Sequence, residues 1–264
     1  MRHLDDGRPA HHPGPRRRPH LGSTPHRRLP PRPGTPATTG HLRVGGRCRA
    51  VRKRGDGGAV VSGVERPLTI AVTGAHSTGK STFLARLAHR LRQHDLEVAT
   101  VADLGEQAQQ IGLPILHSHT YTSTLWIMTR GISNELATWP HADVLLVDRP
   151  VPDALGYYLA ALIYRGETPD PTLLGHLRTL AAQHSMHYDL IFRTELDHTV
   201  PLGTNKARDD NIRYRRLADH HIATVLHDLG IGYELLAIDG HDTAITRATA
   251  FTLTQHTGDD LATI

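Results

Sequence analysis

The chain has 264 residues and a formal charge of +4, and its only cysteine is Cys48, so no disulfide can form within it. The charge is uneven: residues 1–66 hold 15 Lys+Arg against 4 Asp+Glu, whereas residues 67–264 hold 15 against 22. An average-charge argument for nucleic-acid binding therefore fails for the body of the chain, and no apolar run approaches the ~18–20 residues that span a bilayer, so the expectation is a cytoplasmic protein whose core has neither a nucleic-acid nor a membrane partner.

Residues 1–66 contain 9 of the 17 prolines and no Phe, Trp, Tyr or Ile. Such a stretch cannot bury enough apolar surface to offset its backbone entropy, and it is expected to be a disordered Arg/Pro-rich segment ahead of a domain at 67–264. Its composition is compatible with three readings: a solvated tail, a basic arm that touches nucleic acid or anionic lipid, or a stretch outside the translated frame with the start at a GTG codon for Val61 or Val64.

From Pro67 the periodicity becomes regular. Residues 68–73 (LTIAVT) read as a buried strand, followed by the loop Gly74-Ala75-His76-Ser77-Thr78-Gly79-Lys80-Ser81 and a helix over about 80–93 with Phe83, Leu84, Leu87 and Leu91 on one face. A second strand is expected at 97–101, helices near 103–111 and 119–138, and a short apolar strand at 144–147. Helices near 153–164 and 171–184 precede a strand at 189–192, a polar loop at 197–208 and a long helix to about Leu229. A last strand at 233–238 and a helix near 242–256 finish the chain. Strands separated by helices predict an α/β fold with a parallel sheet covered on both faces.

The loop matches G-x-x-x-x-G-K-[ST] in the setting that gives this pattern meaning, directly after a strand and opening a helix. Gly74 and Gly79 permit turns that turn successive backbone N–H groups toward phosphate oxygens. Lys80 reaches the β/γ-phosphates, the Ser81 hydroxyl ligates Mg²⁺, and the helix N-terminus adds its dipole. Residues 74–82, Thr82 included, are thus the expected nucleotide-binding segment, with ATP and Mg²⁺ as cofactors. A second Mg²⁺ ligand is expected as an acid at the end of a neighbouring strand, and Asp148 follows Val144–Val147 in that position. No N/T-K-x-D guanine signature is present, which favours adenine. The 21 histidines lack the cysteine partners or H-E-x-x-H spacing of a zinc site.

Asp148-Arg149 and the following Pro150-Val151-Pro152-Asp153-Ala154-Leu155-Gly156-Tyr157-Tyr158 resemble the Asp/Glu-Arg segment of P-loop nucleoside and nucleotide kinases, closest to an AAA-labelled group that contains a ribosylnicotinamide kinase domain. The resemblance spans most of 67–257 and implies a five-stranded parallel sheet in the order 2-3-1-4-5. It also implies transfer of a phosphoryl group to a small nucleoside-like acceptor: a nucleoside, a nucleotide or nicotinamide riboside. Arg149 becomes a phosphate and acceptor contact, suited to it by its bidentate fork. Asp103, where similar kinases carry a carboxylate, becomes the expected base, with Glu106 one turn on where relatives carry Arg. The helix 119–138 becomes one wall of the acceptor pocket, with Trp126 and Arg130, spaced i,i+4, as substrate contacts.

Transfer of a phosphoryl group needs cations around it. Lys206, Arg208, Arg213, Arg215 and Arg216 lie within 11 positions. Spacing places Arg208, Arg213 and Arg216 toward one cleft, with Arg208 and Arg213 as catalytic candidates, and turns Arg215 elsewhere. A reading of a different class is a regulatory ATPase or GTPase switch acting through a macromolecular partner, and a third makes residues 1–66 a nucleic-acid arm on that ATPase.

Overall fold

The computed structural model of the protein describes residues 64–196 and 211–261, with side chains to His256. The expectations for residues 1–63 and for the polar loop at 197–208, with Lys206 and Arg208, lie outside the described residues. Arg66, which composition places in the N-terminal segment, is already part of the domain: its Nη1 and Nη2 hold Asp189 Oδ2 and Oδ1 at 2.6 and 2.8 Å.

Five strands form one parallel sheet: β1 (Leu68–Thr73), β2 (Val98–Val101), β3 (Val144–Asp148), β4 (Leu190–Thr194) and β5 (Glu234–Leu236), in the order β2-β3-β1-β4-β5. This is the expected 2-3-1-4-5 topology. The helices are α1 (Lys80–Arg92), α2 (Gly105–Gln110), α3 (Tyr121–Thr138), α4 (Val151–Arg165), α5 (Pro171–Ser185), α6 (Ile212–Asp228) and α7 (His241–Leu261). Among the described residues no helix is long and apolar enough to cross a membrane.

The alternation of side chains along a strand divides the core in two. Ile70, Val72, Val144, Leu146 and Phe192 pack with Phe83, Leu84, Leu87 and Leu91 of α1 and with Ala244, Ile245 and Ala248 of α7. Ala71, Leu145, Val147, Ile191 and Val101 occupy the other face, on which α3 packs against β2 and β3. The strands run apolar on both sides because both faces are covered.

The registers bring the functional loops to one edge. Val72 lies opposite Asp148, Val101 opposite Val147, and Thr73 opposite Arg193. Gly74, Asp103, Arg149 and Thr194 therefore leave the sheet at its C-terminal edge. The connection from β1 turns toward β2 on one side and the connection from β3 turns toward β4 on the other. The crevice between those two strand ends is where doubly wound sheets bind ligands.

α4 and α6 cross at close quarters. A Cβ on Gly156 would stand 2.7 Å from Ile222 Cγ1 and 2.8 Å from Ile222 Cα, and the buried Tyr214 hydroxyl donates to the Tyr157 carbonyl at 3.2 Å. In an ordinary helix, Gly→Ala stabilises by up to ~1 kcal/mol. Here Gly156→Ala forces two backbones apart, and overpacking of that kind costs ~1–3 kcal/mol. A net loss of stability is expected in denaturant titration, and a stabilised variant would contradict this account of the crossing.

Candidate nucleotide and acceptor site

The loop between β1 and α1 curls tightly. Gly74, Ser77 and Gly79 all have positive φ, at 125°, 63° and 85°, the alternation that makes an anion-binding concavity. Gly74 is required for a second reason, since a Cβ there would lie 2.2 Å from Thr194 Oγ1. Thr194 Oγ1 donates to the Thr73 carbonyl at 3.1 Å and meets Thr78 Oγ1 at 2.6 Å, so the end of β4 pins the loop. Lys80 folds back over the loop, with Nζ donating to the carbonyls of Gly74 (3.1 Å) and Ala75. Burial, and then the nearby Arg149 charge, pull its ammonium down to about 7.

Ser81 and Asp148 face each other across the mouth of the loop. Ser81 Oγ donates to Asp148 Oδ2 at 2.6 Å, and Asp148 Oδ1 is buried with no hydrogen-bond partner. Leaving a buried carboxylate oxygen unmatched is costly. This hard-oxygen pair, one atom of it unsatisfied, beside a phosphate loop fits an Mg²⁺ ion.

Arg149 is held from several sides. Its backbone sits at φ 73°, a conformation that non-glycine residues adopt at a cost and that clusters at functional sites. Nε donates to Asp103 Oδ2 at 2.7 Å, and Nη1 donates to the Gly74 carbonyl at 3.2 Å and to the Tyr157 hydroxyl at 3.0 Å. Asp153 Oδ2 lies 3.6 Å from Nη1, and the Thr73 hydroxyl donates to Asp153 Oδ1. Burial leads the shift that lifts the Asp153 carboxyl to about 6, although the Arg149 charge opposes it. For Asp103 burial also pushes upward, but the Arg149 charge and the Gly105 N–H outweigh it and hold the carboxyl below its ordinary value.

These groups line one cleft of about 820 Å³, bounded by the phosphate loop, the Asp148-Arg149 turn, α2, the 3-10 turn Leu116–Ser118, and α3. Sequence spacing misplaced two parts of its wall. From α3 the lining residues are Ile127, Met128, Gly131 and Glu135, not Trp126 and Arg130; Trp126 is half-buried outside the cleft and Arg130 is exposed. The i,i+4 pairing was sound, but the face turned inward lies one residue further on. Glu135 is buried, meeting His184 Nε2 at 2.8 Å and the Tyr188 hydroxyl at 3.1 Å.

The second correction concerns α6. Arg213 is exposed, its guanidinium carbon 5.2 Å from the Tyr164 ring centroid, and Arg216 is exposed as well. Arg215 is the buried one, at 6% exposure: Nε donates to the His76 carbonyl at 3.0 Å and Nη2 to the Ser77 carbonyl at 3.1 Å. Helical spacing alone could not reveal which face meets the loop, because the partner is 139 residues away in sequence. Tyr157, Asp153, His119 and Thr194 also escaped the sequence analysis. Asp153 and Tyr157, at i+4 and i+8 from Arg149, could have been found as one helical stripe.

Arg215→Met removes two charge-assisted bonds to loop carbonyls, so a loss of about 1–3 kcal/mol of stability and weaker ATP binding are expected. Arg215→Lys should restore only part; ATP titration with thermal melting checks both. His119 generates a pH prediction. Burial chiefly, against the pull of the Leu116 carbonyl, holds its imidazole down at about 4 from the ordinary 6.5. The unfolded chain therefore binds the proton that the folded one refuses between pH 6.5 and 4. Stability is full above the upper value and falls by roughly 3 kcal/mol through this group as pH drops. Denaturant titrations should show a shallower acid decline for His119→Leu than for the wild type.

A family model described as "AAA domain" matches residues 69–242. No curated protein matches the chain. Among solved structures, a NadR protein in complex with NR is similar with a TM-score of 0.55 at 14% identity, covering 73% of this chain and 52% of that one. The chain thus spans about half the length of that relative. A thymidylate kinase from Ehrlichia chaffeensis has a TM-score of 0.47 at 13% identity, over 69% of this chain and 98% of that one. One from Candida albicans has 0.49 at 12%, over 72% and 93%. With the family model spanning β1 to the start of α7, the chain belongs to the AAA domain family, and its P-loop and 2-3-1-4-5 parallel sheet give it an α/β fold similar to that of the NadR structure.

Proposed function

We propose that the protein is an ATP- and Mg²⁺-dependent phosphotransferase whose acceptor is a small, nucleoside-like molecule: a nucleoside, a nucleotide or nicotinamide riboside. The observation that carries this reading is the continuity of the cleft. The same cavity holds Lys80, Ser81 and Asp148 at one end and extends over Arg149 to the apolar stretch Ile127, Met128 and Gly131. A site that only hydrolysed its nucleotide would not need that apolar extension. The similarity to a structure with NR bound is consistent with it.

In this reading the acceptor hydroxyl attacks the γ-phosphorus, the bond to the ADP oxygen breaks, and the hydroxyl proton passes to Asp103. Lys80 and Arg149 stabilise the charge spread over the transferring group. Ser81 and Asp148 are the residues that would hold Mg²⁺, which would supply neutralisation of the phosphate charge. Asp103 has both oxygens engaged, by Arg149 Nε and by the Gly105 N–H at 2.9 Å. It becomes a competent base when Arg149 turns toward the phosphate and frees Oδ2. Asp153 and Tyr157 position Arg149.

The test is direct. The full chain is incubated with ATP, Mg²⁺ and a panel of nucleosides, nucleotides and nicotinamide riboside, and product is followed by mass spectrometry. Phosphorylated product is expected with at least one member, and Lys80→Ala should lower turnover by about a thousandfold or more, the scale of losing a main charge stabiliser. ATP hydrolysis without transfer to any member, or stimulated only by a macromolecule, would replace this reading with the regulatory switch.

A further inference from the structure

The chain between α2 and α3 makes a strained 3-10 turn. Leu116, a bulky residue, sits at φ 56°, a backbone conformation that such side chains adopt only where the surroundings impose it. The turn delivers His119 into the cleft wall, 5% exposed. The His119 N–H donates to the Leu116 carbonyl at 3.0 Å, and the ring Nδ1 lies 3.1 Å from the same oxygen. A carbonyl only accepts, so Nδ1 carries the hydrogen and the neutral ring is left with a bare lone pair on Nε2. The ring stays neutral at physiological pH because burial opposes its charge.

Phosphate chemistry has no use for this atom. Phosphate oxygens need donors, which Lys80, Arg149 and the loop provide, and an acceptor nitrogen would repel them. Yet His119 is close to the reacting centre: its ring centroid is 6.0 Å from that of Tyr157, whose hydroxyl accepts from Arg149. A nearly dry acceptor with a locked tautomer, held beside the site of transfer by a strained turn, is suited to reading a donor on the acceptor molecule.

We infer that His119 is a specificity-determining residue: its Nε2 accepts a hydrogen bond from a second hydroxyl of the acceptor, one that is not phosphorylated, so the substrate class is a sugar-bearing or otherwise polyhydroxylated alcohol. This rests on the phosphotransferase reading. An acceptor lacking that hydroxyl covers Nε2 without giving it a partner, and sites built in this way reject such analogues.

The experiment compares kcat/KM of the full chain, with ATP and Mg²⁺, on each ribose-bearing acceptor that it phosphorylates and on the 2′-deoxy and 3′-deoxy counterparts of that acceptor. The enzymes are wild type, His119→Phe and His119→Gln, the last retaining an acceptor oxygen near the Nε2 position. The wild type should prefer the hydroxylated member of one pair by about 10–100-fold. His119→Phe should reduce that preference to within about threefold, and His119→Gln should regain part of it. If His119→Phe lowers both members of every pair equally, or if the wild type discriminates none, the inference is overturned while the phosphotransferase reading stands. If the wild type phosphorylates no nucleoside, nucleotide or nicotinamide riboside, that reading falls and this inference falls with it.

Discussion

Two cations buried side by side are the constraint around which this site is arranged. Lys80 is almost wholly enclosed and the Arg149 side chain is 14% exposed. Desolvation of each is costly, by several kcal/mol per ion before compensation, and each opposes the charge of the other. The compensation is spread over Asp103, Asp148 and Asp153, the carbonyls of Gly74 and Ala75, and the Tyr157 hydroxyl. No single carboxylate neutralises both cations. Asp148 leaves one oxygen without a hydrogen bond, and Asp153 does the same. In the proposed function this balance of charges is what the polyphosphate and its metal would enter.

The rest of the fold keeps that pair in register. The parallel pairing of β1 with β3 sets Val72 opposite Asp148, and the Arg149 N–H then donates to the Val72 carbonyl at 3.1 Å, fixing the turn that aims its guanidinium back at Gly74. Thr194 closes the loop from the β4 side. The third support comes from α6. The close crossing of α4 and α6 at Gly156 lets Arg215 reach the His76 and Ser77 carbonyls. The helix that presents Arg149's partners, Asp153 and Tyr157, is thus locked to the helix that restrains the phosphate loop. Packing at a glycine therefore bears on the geometry of a loop that it does not touch.

Local patterns were readable where the chemistry is contiguous. The phosphate loop needs glycines, a lysine and a hydroxyl at set spacings because one short segment must wrap one anion, so 74–82 stood out at once. The buried strands showed as apolar runs, and Asp148-Arg149 was legible because it directly follows one. The α3 and α6 assignments failed in a common way. In α3 the periodicity shows an amphipathic helix but leaves its rotation free by one residue, and one residue is 100° of a helix. In α6 the basic residues are all plausible phosphate contacts by type, and only the packing of Tyr214 and Ala218 into α4 decides that Arg215 faces inward. His119 was invisible for a different reason: one histidine among 21 acquires meaning only from the turn that buries it.

The amino-acid sequence by itself therefore determined the α/β class, the strand and helix order, and the nucleotide end of the cleft, since these depend on interactions within a few residues or on simple burial periodicity. The tertiary structure alone decided the end of the cleft beyond Arg149. It set which face of α3 lines the cleft, which arginine of α6 reaches the loop, and how Arg149, Asp103, Asp153 and Tyr157 share one charge. Those choices are made by contacts between segments up to 139 residues apart, and no spacing rule encodes a rotation that only packing can fix.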